Sequence, residues 1–167
     1  MRNHLITVLA VSLCVAFCAP ARADIDVEGT VLIGTGVDTG GEPHNPYALQ
    51  VGGQVELILW GVVLGARATR ALALSDELPK DADLRAIGGD LGYEWELWIF
   101  HIGPRVGLGY LSTVKKDRFS SFYVEPGVVA EIELGWFATG VDIRYRVVTE
   151  DMDRNGFLAY AKIGLRF

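Results

Sequence analysis

Apolar and polar side chains alternate with a period of two along most of the chain after residue 23, and a helical period near 3.6 is sustained nowhere. Val31 and Ile33 begin the series. Leu49, Val51, Val55, Leu57 and Leu59 continue it, then Val62, Leu64, Ala66 and Ala68, while the intervening positions hold Glu28, Thr30, Gln50, Gln54, Glu56 and Arg67. The same alternation runs through Leu91, Tyr93 and Trp95; through Trp98, Phe100, Ile102, Val106, Leu108 and Tyr110; and through Phe122, Val124, Val128, Ala130, Ile132 and Leu134. Two last segments hold Phe137, Val141, Ile143, Tyr145 and Val147, and Phe157, Ala159, Ala161, Ile163, Leu165 and Phe167. Successive side chains of a strand point to opposite faces, so the pattern predicts eight β-strands, each oily on one face and polar on the other.

The connections differ in length according to the end of the sheet they occupy. Tight turns are expected at Trp60-Gly61, around Glu96-Leu97 and at Gly135-Trp136. Longer polar connections run roughly from Val37 to Pro46, Ser75 to Asp83, Ser112 to Arg118 and Glu150 to Gly156, with turn formers such as Asp38-Thr39-Gly40-Gly41 and Arg154-Asn155-Gly156. After residue 23 no apolar run reaches the roughly 18 residues of a membrane-spanning helix. An even number of antiparallel strands of about 11 residues, with short turns at one end and longer loops at the other, is instead the layout of a transmembrane barrel. The expected fold class is therefore all-β: an eight-stranded antiparallel up-and-down transmembrane β-barrel preceded by a cleavable signal peptide.

Alternation alone does not say which face looks outward, because a lipocalin-like soluble barrel would hold its oily side inside around an apolar ligand. The aromatic residues favour the membrane. Trp60, Trp95, Trp98 and Trp136 fall at or beside the short turns with Tyr93, Phe137 and Phe167, which makes one interfacial girdle; Tyr47, Tyr110, Phe122 and Phe157 lie near the long-loop ends and make the other. The polar face then lines the lumen. It carries Asp26, Glu28, Glu56, Asp90, Glu94, Glu125, Glu131, Glu133 and Asp142 against Arg67, Arg105, Arg144, Arg146, Lys162 and Arg166, along with Gly52, Gly92, Gly103, Gly107 and Gly140.

Charges inside so narrow a bore persist only when paired or hydrated, and pairs between neighbouring strands are expected. These are Glu56 with Arg67, Asp90 with Arg105, Glu125 with Arg146, and Asp26 or Glu28 with Arg166 across the seam that closes the sheet. A turn at Gly135-Trp136 sets Glu125 opposite Arg146 and Gly127 opposite Arg144. Arg70 interrupts the apolar face. Strict alternation points it to lipid, near the headgroups, as a candidate lipopolysaccharide contact; a bulge between Ala68 and Ala71 would turn it inward.

The closing segment reads Tyr160-Ala161-Lys162-Ile163-Gly164-Leu165-Arg166-Phe167 and alternates to a terminal aromatic. With the strand layout, it resembles the small eight-stranded outer-membrane barrels of the OmpA and OmpX type over residues 24–167. The resemblance implies insertion by the barrel assembly machinery, which reads such a terminal strand; Leu165 stands here where the strict pattern has a second aromatic. With no sequence after Phe167, a periplasmic peptidoglycan-binding domain of the OmpA kind is expected to be absent. The long-loop segments are short for a receptor or adhesin of that family.

Residues 1–23 read as an address separate from the barrel domain at 24–167. Arg2 near the amino terminus, an apolar core from Leu5 to Phe17 and an Ala21-Arg22-Ala23 cleavage site mark a signal peptide, and hence export to the outer membrane. Cys14 and Cys18 leave with it, and Leu13 and Phe17 stand where a lipidation signal wants a small residue. The mature chain is then expected to have no thiol, disulfide or cysteine-bound metal. Loss of Arg2 and Arg22 makes the formal charge more negative than the −6 of the whole chain. An acidic balance with no basic run longer than Lys115-Lys116 speaks against nucleic acid as a partner.

Catalytic chemistry is thin. His44 reads as an exposed loop histidine, with no second His or Cys near it in sequence. His101 resembles the base of the lipid A deacylase barrels, but their His-x-Ser pair is missing because residue 103 is Gly, so a lumen histidine bonded to a neighbour is the expected reading. The segment from Asp151 to Gly156 has alternate acids yet lacks the glutamate of a calcium loop, position 162 being Lys. Gly34-Thr35-Gly36 and Gly107-Leu108-Gly109 precede no helix and are not phosphate loops. No catalytic residue, metal site or cofactor is expected.

The expected function is that of an integral outer-membrane barrel, its lumen filled by charge, with a structural or interaction role through its extracellular loops and contact with outer-membrane lipid and lipopolysaccharide. A narrow conduit for ions or small apolar solutes is the alternative. A periplasmic lipocalin-like binding barrel and a lipid-modifying enzyme rank below both. The extracellular partner is not legible.

Overall fold

The computed structural model describes residues 25–39, 45, 47–72, 84–113, 120–149 and 154–167. The signal peptide expected at 1–23, His44, Asp151 and most of the four long connections lie outside the described residues. Among the described residues nine strands follow one another: β1 Ile25–Asp38, β2 Gln50–Leu59, β3 Val62–Ala71, β4 Leu84–Tyr93, β5 Trp95–Leu97, β6 Phe100–Thr113, β7 Ser120–Leu134, β8 Phe137–Val148 and β9 Gly156–Arg166. β4 and β5 form one stave broken at Glu94. Both run antiparallel to β6 in a single register, from Leu84↔Thr113 down to Gly92↔Arg105 and then from Trp95↔Ile102 to Leu97↔Phe100.

Counted so, eight antiparallel staves close into the expected up-and-down barrel, with β9 returning to β1. That seam runs from Asp38↔Gly156 to Glu28↔Arg166 and ends in reciprocal Val27 and Phe167 backbone bonds of 2.8 and 3.0 Å. Closure pairs each of the eight longer strands on both sides, so the backbone of the wall is satisfied from within it, which is the condition for crossing lipid.

The short connections are two-residue turns at Trp60-Gly61, Trp98-Ile99 and Gly135-Trp136. Trp60 and Gly61 both have left-handed φ, 53° and 80°, as a type I′ hairpin turn requires. The middle turn lies later than the Glu96-Leu97 expected from the sequence. Pairing of Trp95 through Leu97 with β6 carries the stave two residues further, and Trp98 itself adopts the left-handed conformation, φ 65°, with no Gly or Asn to mark the place.

Outward positions of the strands are apolar with few exceptions, and they are exposed, as Ile25, Val31, Ile87 and Val128 are. From Phe100 to Tyr110 the outward face of β6 rises about 34 Å along the strand, which at a tilt near 40° is about 26 Å of height, close to the apolar band of a transmembrane barrel. Aromatic rings bound that band. At the short-turn end Trp60, Trp98, Trp136, Phe137 and Phe167 are exposed, and Tyr93 and Trp95 meet edge to face at 5.4 Å. At the long-loop end Tyr110 contacts Phe122 at 5.8 Å and Phe157 contacts Tyr145 at 4.7 Å.

Candidate functional site

The inward positions converge on the bore, and they sort by height. Near the short turns, Arg166 stands opposite Glu28 across the seam, its Nη2 at 2.9 Å from both Glu28 and Glu94 and its Nη1 at 3.2 Å from Glu133. His101 has Nδ1 at 2.9 Å from Glu94 and Nε2 at 3.2 Å from Glu133. Arg105 donates to Glu94 at 2.8 Å, to Glu56 at 3.3 Å and to the Tyr93 carbonyl at 2.9 Å. Asp26 lies half-buried at the foot of β1. One step further in, the Lys162 ammonium sits among Glu131, Glu56 at 3.1 Å and Glu28 at 3.3 Å. These three carboxylates lie within 4.8 Å of one another, close enough to hold a metal ion, and the cation among them is the lysine.

Midway along the bore, Arg144 reaches Asp90, pairs with Asp142 at 2.8 Å and approaches Glu125 to 4.0 Å. Arg67 meets Asp142 at 2.8 Å, Arg146 pairs with Glu125, and Gln54 donates to Asp90 at 3.1 Å. Glycine makes this crowding feasible: a Cβ at Gly107 would stand 2.9 Å from Arg144 Nη1, and one at Gly127 would stand 2.6 Å from its Cγ. Above the ions the lining changes character. Leu32, Leu84, Leu111 and Leu158 join Tyr47, Tyr123 and Tyr160 in one buried cluster towards the long-loop end. The Arg67 guanidinium stacks over Tyr160 at 4.3 Å, and that of Arg146 lies 5.3 Å from the Tyr47 ring and 4.9 Å from Tyr123. Such cation–π contacts join the charged and the oily layers.

Of the neighbouring-strand pairs expected from the sequence, Glu125 with Arg146 and Glu28 with Arg166 meet. The other two do not. Glu56 takes Arg105 and Lys162, Asp90 takes Arg144, and Arg67 takes Asp142. The register places Gly65 opposite Glu56, and Gly65 and Gly107 opposite Asp90, so long side chains from the far wall fill the room those glycines leave.

Tyr47 is a second correction: it is fully buried in the lumen and takes no part in the outer girdle. It precedes β2, where alternation no longer governs direction. Asn45 turns the chain there, donating to the Gly36 carbonyl at 2.6 Å and accepting from the Tyr47 amide at 3.0 Å. The ring fills space that Gly36 and Gly156 leave open, and its hydroxyl donates to the Arg154 carbonyl at 2.5 Å. Tyr47→Phe is therefore expected to cost about 1–2 kcal/mol by leaving that carbonyl unmatched; an unchanged thermal midpoint would show that the bond contributes nothing.

Arg70 faces outward. The ladder through Ala68, Thr69 and Arg70 is unbroken on both sides, so no bulge turns the side chain in. Sequence reasoning passed over Arg85, whose parity with Leu91 would have placed it outward, and Tyr145 as a girdle residue. It also missed Tyr123 and Tyr160, which only the closed barrel brings over the arginines. His101 is held at both ring nitrogens, and the Tyr93 carbonyl occupies the place where a side chain at residue 103 would stand, so the deacylase pair has no room here.

No family model matches the chain, and no curated protein sequence matches it. Solved structures do. The N-terminal β-barrel domain of Pseudomonas aeruginosa OprF superposes with a TM-score of 0.66 at 13% identity, covering 89% of this chain and 100% of that one. Neisserial surface protein A gives 0.60 at 13% identity over 88% of this chain and 97% of its own. Ail, the attachment invasion locus protein of Yersinia pestis, gives 0.54 at 12% identity over 86% and 97%. At such identities the likeness is one of architecture, and the chain has the small eight-stranded antiparallel barrel fold that these three outer-membrane proteins share.

Proposed function

We propose that this chain is an integral outer-membrane protein, short turns towards the periplasm and long loops outside, whose lumen is closed by its own side chains. It serves as a structural or interaction element through the loop end and is not an enzyme. The observation that supports the reading is the burial of the inward side chains. Arg105, Arg144, Arg146 and Lys162 are buried to within 2% of full exclusion from solvent, each against carboxylates, and Tyr47, Leu158 and Tyr160 are buried above them. An eight-stranded barrel has an interior just wide enough for side chains, and a conduit needs a continuous water path along it. Paired charges at the base and oil at the top leave little room for one.

Planar-bilayer recording of the purified chain tests the closed lumen. Baseline current is expected, and steady, ion-selective openings would replace this reading with the conduit. Migration on gels before and after boiling tests the location: a heat-modifiable band in the outer-membrane fraction is expected, and its absence from that fraction overturns the proposal.

A further inference from the structure

Two charges stand on the oily outside of the barrel, and they stand together. Among the described outward positions of β1–β4 and β6–β9, Arg70 and Arg85 are the charged residues, and both are exposed. They are Cα partners in the last pair of the β3–β4 ladder at the long-loop end. One pair below them on the outward face come Ala68, Ile87 and Tyr110, the last a member of the aromatic girdle. The arginines therefore sit just beyond the girdle, at headgroup depth, where an arginine on the lipid face costs least.

We propose that Arg70 and Arg85 together bind the phosphates of a phosphorylated, multiply acylated glycolipid of the outer leaflet, of the lipopolysaccharide kind. The proposal rests on the outer-membrane reading above. Cross-strand partners lie close enough for two planar guanidinium forks to share one phosphate group, and arginine recognises phosphate in bidentate fashion. The surface beneath suits an acyl chain. Gly53 pairs with Ala68, and Ala66 with Gly89, so a strip of small residues runs down the wall from Arg70, beside the exposed Ile87. Nothing inside the barrel demands glycine at two of those places: a Cβ would meet only the Thr30 carbonyl at 3.6 Å from Gly53 and the Gly65 carbonyl at 3.4 Å from Gly89, which are ordinary contacts. Glycine within a strand leaves room for a ligand to approach the backbone closely. A second copy of the chain is the weaker occupant, because a twofold contact on this face would bring the same arginines towards each other.

The test compares the wild-type chain with Arg70→Gln/Arg85→Gln, both refolded into phosphatidylcholine vesicles and both heat-modifiable there. Thermal unfolding is followed with no addition, with bisphosphorylated lipid A in the vesicles, with dephosphorylated lipid A, and with inorganic phosphate alone. Bisphosphorylated lipid A is expected to raise the wild-type midpoint and to leave the double variant where it was, the other two additions having little effect on either protein. Equal shifts in both proteins, a wild-type shift with inorganic phosphate, or a dimer that the double variant loses would each overturn the proposal. If neither protein becomes heat-modifiable in plain phosphatidylcholine, it is the membrane-barrel reading that has failed, and that result is distinct from loss of the lipid site.

Discussion

Lys162→Met is expected to destabilise the barrel by about 3–5 kcal/mol, the scale on which removing one partner of a buried ion pair acts. Its ammonium is the cation shared by Glu28, Glu56 and Glu131, all fully or nearly fully buried. Without it Glu56 keeps Arg105 at 3.3 Å and Glu28 keeps Arg166 at 2.9 Å, while Glu131 is left with Arg166 at 3.5 Å. The variant should acquire a new dependence. Three carboxylates within 4.8 Å of one another, relieved of the lysine, form a hard-oxygen site for a divalent cation, so calcium or magnesium should restore part of the lost stability in the variant and do nothing for the wild type. Urea midpoints in lipid vesicles, read by heat-modifiable migration with and without the cation, measure both effects. A variant as stable as the wild type would mean that water, and not Lys162, solvates the glutamates. The double substitution Lys162→Met/Glu131→Met should recover part of the loss, because a buried pair can be exchanged for oil at far smaller cost than half a pair can be removed.

Arg144→Met should cost a comparable amount, about 3–5 kcal/mol, for a different geometric reason. Arg144 projects from β8 and reaches Asp90 on β4 across the bore while also holding Asp142 on its own strand. It ties opposite walls together, and its removal leaves Asp90 with the neutral amide of Gln54. Arg146→Ala is expected to cost less, since Glu125 retains Arg144 at 4.0 Å. The ranking of the two variants in one denaturant series is the test. An Arg146→Ala protein less stable than Arg144→Met would show that the aromatic contacts of Arg146 with Tyr47 and Tyr123 outweigh the cross-lumen tie.

Much of this architecture is legible along the chain because a strand's side-chain period is two and one face must meet hydrocarbon. Val62, Leu64, Ala66 and Ala68 announce an outward face by that rule alone, and tryptophans at Trp60 and Trp136 mark where the face ends. The Gly135-Trp136 hairpin was readable to the residue. Gly127↔Arg144 pairs as the turn dictates, because a tight turn leaves the register no slack. The turn at Trp98-Ile99 was not, since local chemistry there offers no residue suited to left-handed backbone and only pairing along β6 decides it.

Sequence alone determined the eight-stave barrel, the inward or outward sense of nearly every strand residue, and the signs of the charges that the lumen must accommodate. These are properties of one strand and its immediate neighbour. Only the tertiary structure decided which carboxylates Arg67, Arg105, Arg144 and Lys162 take, that Tyr47 folds inward over Arg146, and that Arg70 and Arg85 stand side by side. Closing a narrow barrel brings distant walls within one side chain's reach, so these four cations find partners across the bore, where neither spacing nor alternation carries information.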